Sequence, residues 1–378
     1  MSGPRSPSES VVLRQAIARH ERAIAAREAR RLGTAERDAS RAVELYARAE
    51  GPGHPDVANA LVDLGQIREL RDDLAGAADA LRRARAILGR RRGRGDVEIA
   101  QLSIRAGRFL GSVQRAQADH AGADRTLARV LRESKQKLGA RDLETGAVLN
   151  DLGVLRKYQG RFDEAAAFYR RARAIVDRSS ERRGHAAATL YHNLGGLEHA
   201  RGRHARGEPH ARRSVELRTA LLGADHPMVA ADIAALAALV EGQGRPAEAA
   251  RLYERALRIF RRQLGAGSSE VAVNLCALGG VRQAQGRLAE GEKLIRHALA
   301  IQQKLFGAGH PETAMTANNL GILLATRGRA AEARALCERA HAIFRRTLGA
   351  RHPHTRQCAA NLARLNHFRS PLPSAGEG

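Results

Sequence analysis

A Leu-Gly pair recurs inside apolar stretches of this chain at a nearly constant spacing. From Leu110 to Leu362 each step is 42 residues, and the step before it, from Leu64 to Leu110, is 46. The pair stands at Leu64-Gly65, Leu110-Gly111, Leu152-Gly153, Leu194-Gly195, Leu278-Gly279 and Leu320-Gly321, with the form Leu-Ala at Leu236-Ala237 and Leu362-Ala363. Self-similarity at a fixed period of this size indicates a repeat array.

Each repeat has the pattern of two helices. Around the Leu of the pair, the anchor, apolar residues follow a period near 3.6. Eight residues after the anchor comes Gly-Arg, as at Gly160, and this glycine is predicted to end the first helix. In the same repeat the second helix is predicted from about Asp163 to about Asp177. Small residues recur thirteen and twenty positions after the anchor, as at Ala165 and Ala172, so the two helices can approach closely.

His-Pro pairs mark the start of several first helices. They stand ten residues before an anchor, at His54-Pro55, His226-Pro227, His310-Pro311 and His352-Pro353. Proline is tolerated at a helix start because its missing N–H would be unpaired there. The histidines are therefore interpreted as loop and cap residues.

The anchor followed by small residues thirteen and twenty positions later resembles the tetratricopeptide pattern. The run FGAGHPETAMTANNLGILLATRGRAAEARALCERAHAIF, residues 306–344, resembles the 42-residue kinesin-light-chain-like class, in a bacterial form. This resemblance, over residues 53–366, implies an all-α fold: a right-handed α-solenoid of tetratricopeptide-type hairpins. The chain departs from the pattern four residues after the anchor, where Arg68, Arg156 and Arg282 replace the usual aromatic residue.

The repeats divide the chain into predicted segments. Before them, Val11–Leu32 and a second helix near Ala35–Glu50 form a hairpin without the anchor, which is interpreted as a cap. The predicted segments are a disordered N-terminus at 1–9, capping helices at 10–52, seven repeats at 53–351, a C-terminal capping helix at 352–368 and a disordered tail at 369–378. A polar last helix is expected at the end of an array.

The resemblance implies where a partner binds. In tetratricopeptide proteins the first helices line a concave groove, and the groove positions are five, two and one before the anchor and two and five after it. The candidates at these positions are Arg105, Arg108, Arg115, Asn150, Lys157, His192, Asn193, His199, Asn318 and Asn319. Asparagine side chains can bridge a partner's backbone, and cationic side chains can hold carboxylates. The chain is therefore predicted to be a non-catalytic scaffold for a partner protein or an extended peptide, acidic peptides included. The alternative is an unused, solvated face.

The net charge of +24 leaves two explanations open. It is compatible with acidic partners or nucleic acid, so a basic solenoid that binds nucleic acid is the alternative function. Only five of the 64 basic residues are lysines, however, and GC-rich coding also produces such an arginine excess. Aromatic residues, at 3%, are few for stacking on single strands. No apolar run reaches the ~18 residues that span a bilayer, so no membrane partner is expected.

No catalytic or metal-binding pattern stands out. Nucleophile elbows, phosphate loops and paired cysteines are missing from the sequence, so neither enzymatic activity nor a cofactor is predicted. His185, His192 and His199 recur every seven residues, but two helical turns separate neighbours by ~10 Å, too far for one zinc ion. The basic run RRRGRG at 90–95 is interpreted as a solvated loop. Three cysteines without a disulfide pattern fit a cytoplasmic protein. The oligomeric state is left open.

Overall fold

The computed structural model describes residues 7–90, 97–350 and 352–367. Within these ranges the chain forms seventeen α-helices and one short 3-10 helix, with no strand. The predicted fold class, an all-α solenoid of tetratricopeptide-type hairpins, is confirmed. Residues 91–95 of the basic run, residues 1–6 of the predicted disordered N-terminus and the predicted tail at 369–378 lie outside the described residues.

The chain divides into two compact units. Unit 1 ends at Leu197 and unit 2 begins at Glu198. Unit 1 holds α1 (Pro7–Glu28), α2 (Leu32–Glu50), α3 (Pro55–Leu70), α4 (Leu74–Arg90), α5 (Val97–Ala116), α6 (His120–Lys137), α7 (Leu143–Tyr158), α8 (Phe162–Val176), the 3-10 helix (Ser180–Arg183) and most of α9 (His185–Ala200). Unit 2 holds α10 (His204–Leu222), α11 (Pro227–Glu241), α12 (Pro246–Leu264), α13 (Ser269–Ala284), α14 (Leu288–Phe306), α15 (Pro311–Thr326), α16 (Ala330–Thr347) and α17 (Pro353–His367).

Within each unit, consecutive helices pack as hairpins that stack side by side. In unit 1, α7 packs on α8 within one hairpin, and α7 also contacts α5, the first helix of the preceding hairpin. In unit 2, α13 packs on α14 and contacts α15 in the same way. Tyr169 in unit 1 and Phe344 in unit 2 are among the largest fully buried side chains. Each hairpin thus completes the apolar interior of its neighbour.

The turn inside each hairpin has one residue with a positive φ. Gly160 has φ of 73°, as the Gly-Arg pattern predicted. At the equivalent place in the two preceding hairpins, Asp72 and Ala118 have φ of 64° and 61°. The same turn therefore forms without glycine in those repeats, although the conformation is less favourable for a residue with a Cβ.

The His-Pro histidines cap first helices. Nδ1 of His54, His226, His310 and His352 accepts a hydrogen bond from the backbone N–H two residues later, over 3.1–3.3 Å. This contact satisfies one of the N–H groups that a helix leaves unpaired at its start. The predicted role as cap residues is confirmed.

The arginines that replace the family's aromatic residue join neighbouring hairpins. Nη2 of Arg156 lies 2.8 Å from Asp124 in α6, and its Nε lies 3.2 Å from Glu164 in α8. Arg282 contacts Glu254 and Glu290 in unit 2 in the same way. An ion pair to each adjacent second helix therefore takes the place of the packing that an aromatic side chain would supply.

The N-terminal hairpin differs from the predicted bounds. Helix α1 begins at Pro7, inside the segment 1–9 predicted to be disordered, because proline suits the first helical turn. It ends at Glu28 instead of Leu32, since the turn with positive φ lies at Arg30. Elsewhere the bounds agree closely: α8 lies within one residue of its predicted ends, and α17 is the helix expected near Pro353–His367.

None of the helices described is both long and apolar enough to cross a membrane.

Candidate functional site

The candidate site, described for each unit by itself, is the surface formed by the first helices of that unit's hairpins, called here its first-helix face. At three places, the residue one before an anchor lies within hydrogen-bond distance of the residue two before the preceding anchor, 43 positions earlier. In unit 1, Asn193 Nδ2 donates to Asn150 Oδ1 over 2.9 Å. In unit 2, Asn319 Nδ2 lies 3.4 Å from Cys276 Sγ, and Asn361 Nδ2 donates to Asn318 Oδ1 over 3.2 Å. Of the predicted asparagines, Asn150 and Asn193 therefore meet each other, whereas Asn318 meets Asn361 and Asn319 meets Cys276.

Arg108 in α5 occupies the same ladder position with charged partners. Its Nε lies 2.7 Å from Asp151 Oδ2, and its Nη1 lies 3.0 Å from Glu144 Oε2. Burial alone would lower the pKa of Arg108, but the two carboxylates raise it above its usual value. Arg105 approaches the same Glu144, at 3.9 Å. These two predicted cations are therefore compensated within the protein.

Arg115 and Lys157 both lie close to one aromatic ring. Arg115 Cζ is 4.5 Å and Lys157 Nζ is 5.4 Å from the ring centroid of Tyr158, whose residue is 60% exposed. Burial, and next the charge of Arg115, lower the pKa of Lys157 below its usual value. Cations attract aromatic faces, so the ring holds the two charges close together. We call Arg115, Lys157 and Tyr158 the Tyr158 cluster.

A cavity of about 350 Å³ opens beside Arg108. It is lined by α5, α7, α8 and α9, and its walls include Ala147, Asn150, Val176 and His185. Helix α8 ends at Val176, and the 3-10 helix Ser180–Arg183 occupies the connection to α9. The cavity therefore lies where the regular second helix is cut short.

The first-helix face of unit 2 is mostly small and apolar. Val273 in α13 is 51% exposed and Ile322 in α15 is 37% exposed. A Cβ added to Gly280 would meet no heavy atom within 4 Å, so that surface is open. The face can thus contact apolar groups of a ligand directly.

The two predicted histidines differ in exposure. His192 is half-buried in unit 1, and His199 is exposed in unit 2 with its ring centroid 5.1 Å from that of His204. No group of three His, Cys, Asp or Glu residues that could hold a metal ion occurs in the described ranges.

Sequence reasoning missed the partners of the predicted residues. Asp151 and Glu144 neutralise Arg108, and Cys276 contacts Asn319, but none of the three was singled out. For Asp151 and Cys276 the signal was present in the spacing, since each lies 43 positions from its partner, whereas Glu144 lies 36 positions from Arg108. Tyr158 was also missed, because it lies one position beyond the groove positions that the resemblance supplied.

The comparisons with known proteins agree with this geometry. The tetratricopeptide repeat family matches residues 14–89, 103–178, 186–262, 270–335 and 318–370, which include the hairpin α1–α2. A search of curated proteins found no match.

Several solved structures share the fold. The Rap conjugation gene regulator of plasmid pLS20, in complex with the Phr* peptide, has a TM-score of 0.60 at 14% identity, over 89% of this chain and 95% of that one. A Rap protein complexed with Competence and Sporulation Factor has a TM-score of 0.56 at 13% identity, over 94% and 98%. BtubC (BKLC) from P. vanneervenii has a TM-score of 0.50 at 20% identity, over 62% and 92%.

The predicted resemblance to tetratricopeptide proteins is confirmed by the family match. With hairpins that stack as the repeat requires and a family match over most of its length, the chain belongs to the tetratricopeptide repeat family.

Proposed function

We propose that this protein is a non-catalytic scaffold that binds a partner protein or an extended peptide on its first-helix face. The observation that carries the proposal holds for each unit by itself: the first helices of unit 2 expose the apolar side chains Val273 and Ile322, and those of unit 1 carry the cationic and aromatic Tyr158 cluster. Large apolar side chains in solvent and aromatic or arginine anchors are typical of protein-binding surfaces.

The ladder of side-chain contacts supports this function. Asn150 with Asn193, and Asn318 with Asn361, join first helices that are adjacent in the stack. Such contacts hold the helices in a constant spacing before a ligand arrives. A preorganised surface loses less conformational entropy on binding than a mobile one.

The fold is compatible with peptide ligands. Two of the similar structures are Rap proteins, one complexed with Competence and Sporulation Factor and one with the Phr* peptide. Their likeness to this chain is one of fold, so the ligand of this protein must be identified directly.

The test begins with the full chain as bait, and purified partners are then titrated by fluorescence anisotropy. We expect Val273→Asp and Ile322→Asp to weaken binding of a partner on unit 2, because each places an unpaired charge against the ligand. For a partner on unit 1, Asn193→Ala should weaken binding through loss of the contact with Asn150. The matched control is Arg258→Asp, at an exposed position on the second helix α12.

Unchanged affinity in all three face variants, with helicity retained by circular dichroism, would contradict the proposal. A gel shift with duplex DNA at about 0.15 M salt distinguishes the alternative function, since nonspecific phosphate contacts weaken steeply as salt rises. The acidity of the partner and the cytoplasmic location stay predictions.

A further inference from the structure

We infer that the Tyr158 cluster is a subsite that binds an oxyanion of a peptide ligand. Its three residues come from two first helices of unit 1: Arg115 from α5, and Lys157 and Tyr158 from α7. The inference rests on the proposed function and names the chemistry that the first-helix face recognises in unit 1.

The charges of the cluster distinguish it from the neighbouring cations. Arg105 and Arg108 pair with carboxylates of Glu144 and Asp151. Among the described residues, no carboxylate lies within ion-pair distance of Arg115 or Lys157. Two like charges held near one ring are therefore left for a ligand to neutralise.

One acidic residue lies near the cluster and limits the charge of the ligand. Arg115 Nη2 is 3.5 Å from Ser112 Oγ, and Ser112 Oγ donates to Glu69 Oε1 over 3.0 Å. Burial raises the pKa of Glu69, and Arg115 partly opposes this shift. With Glu69 ionised, the cluster keeps one positive charge in excess, which a single oxyanion would balance.

Partial burial makes the ammonium group of Lys157 a stronger partner for an anion. Burial and the charge of Arg115 both lower its pKa, so the protonated form is held at a cost in free energy. A bound oxyanion would offset this cost by supplying an opposite charge and hydrogen-bond acceptors.

The surroundings leave room for a ligand. A Cβ added to Gly196 in α9 would lie 3.4 Å from Lys157 Nζ, so glycine leaves space beside the ammonium group. The exposed ring of Tyr158 forms one wall of the subsite.

The experiment titrates the full chain with a fluorescein-labelled oligoglutamate peptide and follows anisotropy. The double variant Arg115→Gln/Lys157→Gln should bind at least about tenfold more weakly, because charge-assisted hydrogen bonds are lost. The matched control, Arg132→Gln/Lys135→Gln, removes the same two charges from exposed positions on α6 and should change affinity less than about twofold. The charge-preserving variant Arg115→Lys/Lys157→Arg should retain most of the binding.

Two outcomes would overturn the inference: equal weakening by the two double variants, which indicates nonspecific attraction, or wild-type affinity in Arg115→Gln/Lys157→Gln. Competition with acetyl-glutamate amide, a phosphoserine peptide and a peptide with a free C-terminus distinguishes the source of the oxyanion. A partner that Val273→Asp or Asn193→Ala weakens, while the double variant binds it normally, would leave the proposed function intact and remove the subsite.

Discussion

The same repeat positions carry charge in unit 1 and almost none in unit 2. On α3, α5 and α7 of unit 1, the charged residues at the groove positions are Asp63, Glu69, Arg105, Arg108, Arg115, Asp151 and Lys157. On α11, α13 and α15 of unit 2, the equivalent charged residue is Glu241 alone, and most others are Ala, Val, Gly, Met or Ile. One backbone architecture therefore supports two chemically different faces.

The position five after the anchor shows the contrast most clearly between two hairpins, α7–α8 of unit 1 and α11–α12 of unit 2. In unit 2 it is Glu241, which accepts a hydrogen bond from the hydroxyl of the buried Tyr253 at 3.4 Å. In unit 1 it is Lys157, and the hydroxyl of the equivalent Tyr169 has no hydrogen-bond partner among the described residues. In the hairpin α7–α8 the buried hydroxyl of Tyr169 thus has no carboxylate acceptor at this position, and Lys157 lies beside Tyr158. One repeat can therefore use this position for an internal hydrogen bond, and another can place a surface cation there.

The largest expected effect is on stability, when one carboxylate is removed from an ion pair in each unit. In unit 2, Arg218 Nε lies 2.7 Å from Asp232 Oδ2, with side chains only 5% and 2% exposed. Asp232→Ala should destabilise unit 2 by about 3–5 kcal/mol, since it leaves a buried cation unpaired. In unit 1, Asp151→Ala should cost about 1 kcal/mol, because Arg108 keeps Glu144 and reaches solvent. Hydrogen exchange by mass spectrometry, resolved by helix, measures both; equal costs would break the comparison.

An intermediate effect comes from the residue after the anchor. Gly153 faces Tyr169, and a Cβ there would lie 2.5 Å from the ring. At the equivalent place in unit 2, Ala237 is fully buried in the hairpin that contains Tyr253. Gly153→Ala should destabilise by about 1 kcal/mol net, as crowding exceeds the gain in helix propensity.

Ala237→Gly is the reciprocal change and should also cost about 1–2 kcal/mol, through lost propensity and lost burial of a methyl group. Urea denaturation followed by circular dichroism measures both variants. Stabilisation by Gly153→Ala would show that the helix spacing in unit 1 is not fitted to glycine.

The smallest expected effect is on the pH dependence of stability, which should have opposite signs for Lys157 and Glu241, in two different pH ranges. The pKa of Lys157 is lowered in the folded chain, so its contribution to stability should rise as pH increases from the folded pKa to the unfolded value near 10.4. Burial raises the pKa of Glu241, with a weaker opposing effect of Tyr253, so its contribution should fall as pH rises from about 4.3 through the folded pKa.

Urea midpoints across pH, compared between wild type and the variants Lys157→Met and Glu241→Gln, measure these two slopes. Each variant should remove the pH dependence of the urea midpoint in the pH range of the residue it replaces, and leave the dependence in the other range unchanged. A slope of the same sign in both windows would contradict the assignment of Lys157 and Glu241 to contrasting environments.

Helix order, turn positions and caps could be predicted from the sequence. The anchor period, the glycine at Gly160 and the His-Pro pairs each act within a few residues along the chain, so their physical effect is visible locally. The turn at Arg30 was placed too late, because no glycine or proline marks it.

Which candidate residues are compensated was decided by the tertiary structure. Arg108 and Arg115 have the same residue type on the same helix, yet only Arg108 meets Asp151, from the next first helix along the stack. Partners 43 residues apart come together only when hairpins stack, since that spacing is longer than any of the described helices. By itself, the sequence determined the repeat and its helices; the stacking of those helices decided which charges are paired and which remain for a ligand.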